Sequence, residues 1–121
     1  MRRPSLLAAL AAAVSTAVAA APAPGRYEAR LCVATEAGAP PSCGAALVEL
    51  RSGGRIEVHV ADIAWRLALR SSQLDALTMH GNTQIDEFSA DYEWAGDVLR
   101  FTDIAKGAVY ELRFQAPRTS R

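Results

Sequence analysis

The chain is poor in histidine, lysine and cysteine, and each shortage narrows the functions it can have. Its 121 residues include two histidines, two cysteines and a single lysine, Lys106. Metal centres and catalytic triads need several such side chains to converge. The sequence has no motif with the spacing of metal ligands, and no serine in the strand–turn–helix motif that presents a catalytic nucleophile. No glycine-rich loop follows a strand and opens a helix, so a nucleotide phosphate site has no basis. We therefore expect a protein that is not an enzyme and that needs no metal and no cofactor.

An excess of basic charge is also missing. The 13 Lys and Arg residues are balanced by 13 Asp and Glu residues. Proteins that bind nucleic acid or anionic lipid through their overall charge depend on such an excess. The sequence therefore predicts no nucleic-acid partner, and leaves envelope proteins and small ligands as the expected partners.

Only one apolar run is long, and it lies at the N-terminus. Arg2 and Arg3 precede an alanine- and leucine-rich stretch at 6–18, and small residues follow at 19–21. This order is typical of a cleaved signal peptide, and the run is shorter than the roughly 20 residues that span a bilayer. We interpret residues 1–20 as a signal peptide, with an uncleaved anchor as the alternative. The expected product is periplasmic or secreted and has no transmembrane segment, and the abundance of arginine and alanine indicates a bacterial source.

The two cysteines, Cys32 and Cys43, are separated by ten residues. In an exported domain such a pair most often forms a disulfide, whereas redox motifs place only two residues between the cysteines. The segment between them contains Gly38, Pro40 and Pro41, which favour a turn. We predict a structural disulfide that stabilises the fold by roughly 3 kcal/mol in the chain-entropy treatment.

After a flexible lead-in at 21–25, apolar residues recur at every second position, as is typical of half-buried strands. Glycines at 53–54 separate two such arms and predict a tight hairpin. Short strands with glycine turns indicate an all-β antiparallel meander of about six to eight strands, closed as a barrel or folded as a two-layer sandwich. The expected domain covers 26–115 and is followed by a frayed tail at 116–121.

The segment 63–80 is compatible with two structures. As a helix it would begin at Asp62 and end at Gly81, which would make the fold α+β. As strands it alternates Ile63, Trp65 and Leu67 with smaller or charged residues, and the serines at 71–72 interrupt it. Because the apolar residues do not keep to one helical stripe, we favour two strands.

The most polar stretch of the chain, 79–88, supplies most of the candidate binding residues. Gly81 and Asn82 suit a turn, and a turn feeding a strand is the main alternative to a site. Asp86 shares its strand face with aromatic residues, and a carboxylate on such a face predicts the open end of a barrel or an ion pair. The candidate ligand-binding residues are Asp86, His80, Asn82 and Trp94. The expected ion-pair partners of Asp86 are Arg66, Arg70 and Arg100.

The aromatic residues fall largely on inward-facing positions. Core packing is the expected role, and a ligand cavity lined by aromatics is the alternative. A chain this short makes a narrow interior that side chains would mostly fill. The aromatic residues concerned are Trp65, Phe88, Tyr92, Trp94, Phe101, Tyr110 and Phe114.

Two short segments are similar to loops of small exported β-barrels that inhibit lysozyme. They are 52–56 (SGGRI) and 105–108 (AKGA). The resemblance implies a barrel with a disulfide whose polar loops enter an enzyme cleft. The sequence departs from that family at Ile56, where an aromatic residue is expected, in lacking the tryptophan before Lys106, and in the placement of its cysteines.

The sequence thus predicts an exported β domain that binds a protein or a small ligand through its loops. The loops at 52–55, 81–84 and 103–107 are the contact candidates, because loops on a rigid sheet commonly carry recognition. The alternative is a structural or envelope-associated component that assembles through an exposed strand edge.

Overall fold

A computed structural model describes residues 21–117 as eight strands. The expected signal peptide at 1–20 and the last residues of the tail, 118–121, lie outside the described residues. The strands are β1 (Gly25–Ala34), β2 (Ser42–Arg51), β3 (Arg55–Val60), β4 (Ile63–Leu69), β5 (Gln73–His80), β6 (Thr83–Ala95), β7 (Val98–Asp103) and β8 (Ala108–Pro117).

The eight strands form a closed antiparallel barrel in which each strand pairs with its neighbours in sequence. β1 closes the barrel against β8, with Ala29 opposite Phe114 and Ala34 opposite Val109. The all-β fold is confirmed, and the barrel rather than the sandwich is the correct alternative. The segment 63–80 forms β4 and β5 and not a helix, because its period of two places apolar residues on the inner face of both strands.

The core lies inside the barrel and is built from alternate residues of the strands. Leu74, Leu99 and Leu112 are fully buried at its centre. Phe101 and Phe114 are buried as well. The other aromatic residues predicted to face inward are half-buried and pack against this core: Trp65, Phe88, Tyr92, Trp94 and Tyr110. Their placement follows the alternation seen in the sequence.

The β2–β3 hairpin turns through two glycines with positive φ, Gly53 at 83° and Gly54 at 77°. Gly54 is also at a close approach, because a Cβ added to it would clash with the backbone oxygen of Leu69. The Leu69 amide donates to the Gly54 oxygen at 2.7 Å, which joins the hairpin to the end of β4. Only glycine satisfies both constraints.

The cysteine pair is joined as predicted. Cys32 on β1 and Cys43 on β2 lie directly opposite each other, with 4.0 Å between their Cα atoms. Cys32 lies on the outer face of β1, opposite Glu111 of β8, yet it is only 1% exposed. Segment 35–41, which joins the two strands, lines a cavity together with Cys32, so the connection folds back over the bridge.

The barrel has two ends, which we name after one residue at each. The lysine end contains the turns at 35–41, 61–62, 81–82 and 104–107. The tryptophan end contains the lead-in at 21–24 and the turns at 52–54, 70–72 and 96–97. Ala116 and Pro117, which the sequence assigned to the tail, extend β8 and pair with β1 at the tryptophan end.

Strand β6 is staggered between its two neighbours. β5 pairs with residues 83–91, whereas β7 pairs only with residues 92–95. The register on the β5 side shifts by one residue because Thr78 lies opposite Asp86 and Met79 lies opposite Gln84, which leaves Ile85 as a bulge. The first part of β6 therefore stands at the lysine end without a ladder to β7.

Candidate binding site at the lysine end

The four candidate binding residues do not come together. Asp86, His80 and Asn82 lie at the lysine end, on β6, β5 and the turn between them. Trp94 lies near the opposite end of β6 and packs against Phe114 with 5.8 Å between ring centroids. Strand β6 contains 13 residues. At about 3.3 Å per residue, its two ends are roughly 40 Å apart along the strand.

The predicted contact loops are likewise divided between the two ends. The segments 81–84 and 103–107 lie at the lysine end, whereas 52–55 lies at the tryptophan end. A single partner surface can therefore contact the first two together.

Asp86 forms an ion pair with a residue that was not among its predicted partners. Its Oδ2 accepts a hydrogen bond from Nζ of Lys106 at 2.6 Å. The Lys106 hydrogen bond is the main reason why the pKa of Asp86 is lowered, and burial partly opposes it. The same contact raises the pKa of Lys106. Both shifts keep the pair charged at neutral pH.

The arginines predicted as partners of Asp86 bind other carboxylates instead. Arg66 donates to Glu57 at 3.3 Å, and Arg70 donates to Asp75. Arg100 donates to two glutamates, Glu93 and Glu111, each at 2.9 Å.

The position of Asp86 in the barrel explains why the prediction of its partners was wrong. Arg66 and Arg100 lie on the outer face, and Arg70 lies in a turn at the tryptophan end. Asp86 lies on the inner face at the lysine end, out of reach of all three. Lys106 reaches it from the turn at 104–107 because β6 projects past β7.

Each of the two histidines lies close to a carboxylate. His80 Nε2 lies 2.8 Å from Asp62 Oδ2, which links the turn at 61–62 to the end of β5. The hydrogen bond to His80 is the largest cause of the lowered pKa of Asp62. His59 lies on the outer face of β3, 3.6 Å from Glu57. Within residues 21–117, the side chains of His80 and Asp86 therefore have separate partners.

A cluster of aromatic rings supports the site from inside the barrel. Phe101 and Tyr110 stack with 4.9 Å between centroids, and Phe88 lies 5.8 Å from Tyr110. Asp103 is buried at this end, at 2% exposure. Burial is the first cause that raises the pKa of Tyr110, followed by the charge of Asp103. The rim of the lysine end therefore rests on a packed aromatic floor.

Two isoleucines are strongly exposed at this end; Ile104 lies in the predicted contact loop 103–107 without having been singled out, and Ile85 lies outside the predicted loops. Ile85 is 54% exposed at the β6 bulge, and Ile104 is 79% exposed in the turn at 104–107. They lie beside Asp86 and Lys106 in sequence, and that ion pair joins their two segments. An aliphatic residue at the tip of a polar turn was the available signal for Ile104. The bulge that exposes Ile85 depends on pairing with β5 and leaves no mark in the sequence.

The described residues do not form a cluster of side chains that could coordinate a metal ion. Within residues 21–117, no three His, Cys, Asp or Glu side chains are grouped so as to hold a metal ion. Over the same part of the chain, no helix is long and apolar enough to cross a membrane. The chemistry available at the lysine end is an ion pair, a histidine–carboxylate pair and exposed aliphatic surface.

In comparisons with known proteins, no protein-family model, no curated protein and no solved structure matches the chain. The two segments similar to lysozyme-inhibitor loops, 52–56 and 105–108, lie at opposite ends of the barrel. Even the short strand β3 has six residues. A strand of that length is roughly 20 Å long, so one narrow cleft cannot accept both segments together.

Proposed function

We propose that the protein is an exported, non-enzymatic binding module that holds a protein partner through its lysine end. The observation that carries the proposal is the exposure of Ile85 and Ile104 on the two segments that the Asp86–Lys106 pair joins. Single exposed aliphatic residues are ordinary on protein surfaces. Here, two exposed aliphatic residues lie on segments that an ion pair joins. Protein interfaces have a similar composition, with an apolar core and a polar rim.

The filled interior favours recognition at an end of the barrel. Large side chains such as Leu74, Leu99 and Leu112 occupy its centre with no exposure. A small ligand therefore finds no space in the middle of the barrel. Of the loops at the two ends, those at 61–62 and 104–107 are held in place by the hydrogen bonds of His80 and Lys106.

Burial of both isoleucines would supply most of the affinity. Each buried side chain of this size contributes about 1.5–3 kcal/mol when it leaves water. Asp86 and Lys106 already satisfy each other, so a partner can cover them without leaving a charge unpaired. His80 and Asp62 would form part of the polar rim. The proposed interface is thus apolar in the centre and charged around it.

The cysteine bridge supports the proposed export. Disulfides persist in oxidising compartments, and the order of charged, apolar and small residues at 1–20 is that of a signal peptide. We place the mature protein in the periplasm or outside the cell. Mass spectrometry of the protein recovered from a bacterial host tests this. An N-terminus at Ala20 or Ala21 is expected, and an intact Met1 in the membrane fraction would contradict it.

The binding proposal is tested with a photo-crosslinking residue placed at Ile104. Cross-linking in envelope extract should yield an adduct of defined mass that disappears when Ile85 is changed to Asp. The matched control carries the crosslinker at Leu47, which is 45% exposed on the outer face of β2. Identical adducts from both positions, or none from Ile104 at any extract concentration, would overturn the proposal.

A second candidate function is assembly through a strand edge. Residues 83–91 of β6 have no ladder to β7. Unpaired backbone groups of this kind can template another strand. The bulge at Ile85 and the inward-facing Asp86 oppose this, because both are features that natural sheets use to protect edges. We therefore rank edge assembly below binding through the lysine end.

A further inference from the structure

The tryptophan end contains a cavity that the proposed function does not use. It measures about 390 Å³ and lies between the barrel mouth, the turn at 52–54 and the lead-in. This volume is within the range of small-molecule pockets. We infer that the cavity is a binding site for a small amphiphilic anion, such as a carboxylate carrying a short alkyl or aryl group. The inference is independent of the protein interface at the lysine end.

The floor of the cavity is apolar and held rigid. Leu50 and Ile56 are buried and line it together with the rings of Tyr92 and Trp94. The Tyr92 hydroxyl donates to the backbone oxygen of Arg70, which holds the ring against the turn at 70–72. The buried floor prevents a ligand from entering the core, so it would bind at the mouth.

Trp94 is fixed by a chain of aromatic contacts. Its ring lies 5.8 Å from that of Phe114, which in turn meets Tyr27 edge to face at 5.2 Å. Trp94 nevertheless stays half-buried and lines the cavity. A ligand therefore meets a preorganised aromatic surface, and little side-chain entropy is lost when it binds.

The rim of the cavity is cationic. Arg51 and Arg70 line it, whereas their carboxylate partners do not; these are Glu49 and Glu57 for Arg51 and Asp75 for Arg70. Each of the two guanidinium groups gives one terminal nitrogen to its carboxylate. Because a guanidinium carries five N–H donors, others remain for a second anion. A carboxylate at this rim would gain charge-assisted hydrogen bonds while its apolar part lies on the floor.

The lead-in forms a roof over one side of the cavity. Pro22 and Pro24 line it, and the hydroxyl of Tyr27 donates to the backbone oxygen of Ala23. Proline fixes φ, so a roof of this composition loses little entropy when it closes on a ligand. If the signal peptide is cleaved after Ala20, the α-ammonium group of Ala21 adds a positive charge at the cavity.

The two tryptophans allow a direct test with octanoate as the probe. The variant Trp65→Phe keeps Trp94 as the single tryptophan, and its emission should shift and saturate as octanoate is added. The matched variant Trp94→Phe keeps Trp65, which lies on β4 outside the cavity, and its emission should stay constant. A constant Trp94 emission even at millimolar octanoate, or equal responses from both variants, would overturn the inference.

Charge selectivity is tested with octanol and with arginine variants. Octanol should bind at least about fivefold more weakly than octanoate, because one charge-assisted hydrogen bond is worth about 1 kcal/mol or more. Arg70→Gln should weaken octanoate binding by a similar factor and leave octanol binding unchanged. Arg66→Gln, which alters an arginine outside the cavity, is the control. Equal affinity for both probes, or an equal effect of both substitutions, would contradict an anion site.

Discussion

Among single residues, the carboxylate of Glu111 connects two strands on the outer face of the barrel. It accepts hydrogen bonds from Arg113 at 2.7 Å and from Arg100 on β7 at 2.9 Å. These bonds, with Arg113 first, lower the pKa of Glu111 below its ordinary value of 4.5, and burial only partly opposes them. Arg100 and Glu111 face each other across β7 and β8, so the contact also favours their register.

The variant Glu111→Gln should unfold more easily at neutral pH, by about 1 kcal/mol, because it loses two charge-assisted contacts at a partly exposed site. A carboxylate whose pKa is lowered by folding stabilises the fold above its unfolded pKa, and this contribution disappears as the pH falls through the folded pKa. The difference between wild type and variant should therefore shrink from pH 7 to pH 3. Urea unfolding at both pH values measures it.

Glu93→Gln is the control for that experiment. Glu93 shares Arg100 with Glu111, but its side chain is 64% exposed. Removal of such an exposed charge should change stability by no more than about a few tenths of a kcal/mol. If both variants lose the same free energy, or if the loss in Glu111→Gln does not depend on pH, the shared carboxylate has no special role.

Among the elements, the β2–β3 hairpin depends on a backbone conformation that few residues adopt. Gly53 and Gly54 follow each other with positive φ, yet their surroundings differ. A Cβ added to Gly53 would find nothing within 4 Å, whereas at Gly54 the oxygen of Leu69 blocks it. Substitution of Gly53 therefore measures the cost of backbone strain alone, whereas substitution of Gly54 adds the cost of a steric clash.

We expect Gly53→Ala to lower the free energy of unfolding by about 1–2 kcal/mol, the usual cost of left-handed backbone for an L-residue. Gly54→Ala should cost distinctly more, because the clash must also break the hydrogen bond from Leu69 to Gly54 or move β4. Thermal and urea unfolding of the two variants provide the comparison. Equal decreases in the free energy of unfolding would mean that the end of β4 moves away from the added methyl group at no cost.

In the barrel as a whole, β1 is held by its ladder to β2 and by two further connections. The Cys32–Cys43 bridge joins it to β2 within one hairpin, and the ladder to β8 closes the barrel. The bridge restricts a short loop in the unfolded chain, whereas the ladder links the two ends of the domain. We therefore expect barrel closure without the bridge.

A double variant, Cys32→Ala with Cys43→Ala, should lose about 2–3 kcal/mol and keep the far-ultraviolet dichroism of a β protein. Alanine is chosen because Cys32 is buried. A serine at position 32 would bury an additional polar hydroxyl group. Loss of the β signal at room temperature would show that closure requires the bridge, and an unchanged unfolding midpoint would show that the bridge adds nothing.

The part of β6 that has no ladder to β7 could in principle pair with a second copy of the chain, and its charges oppose such pairing. The stretch of β6 without a ladder to β7, residues 83–91, carries Glu87 and Asp91 on its outer face, and neither forms an ion pair within residues 21–117. Antiparallel pairing of two copies centred on Ser89 would place Glu87 of one opposite Asp91 of the other, which is destabilising. We expect light scattering to give the mass of one chain from micromolar to submillimolar concentration.

The double variant Glu87→Thr with Asp91→Thr should associate more strongly than wild type, because it removes that repulsion and raises β propensity. Ser89→Thr is the control, since it changes propensity without changing charge. A wild-type dimer that this double variant leaves unaltered would place self-association elsewhere on the molecule.

The local features of the fold could be predicted from the order of residues. The period of two identified the strands, the glycines located the β2–β3 turn, and two cysteines left a single pairing to make. These features depend on neighbours along the chain, so pattern and turn chemistry suffice to predict them. The same reasoning placed Asp86 on the strand face that carries aromatic residues, because alternation alone sets the face of a strand residue.

Closure, ion-pair partners and exposure became evident only in the assembled barrel. The choice of barrel over sandwich and the reach of Lys106 to Asp86 depend on the stagger summed over eight strand pairings, whereas the bulge at Ile85 depends on the pairing of β5 with β6. No single segment encodes that sum, because each register is set jointly by both strands and by the packing of the core between them. The candidate residues His80 and Trp94 occupy opposite ends because the 13 residues of β6 lie almost entirely between them.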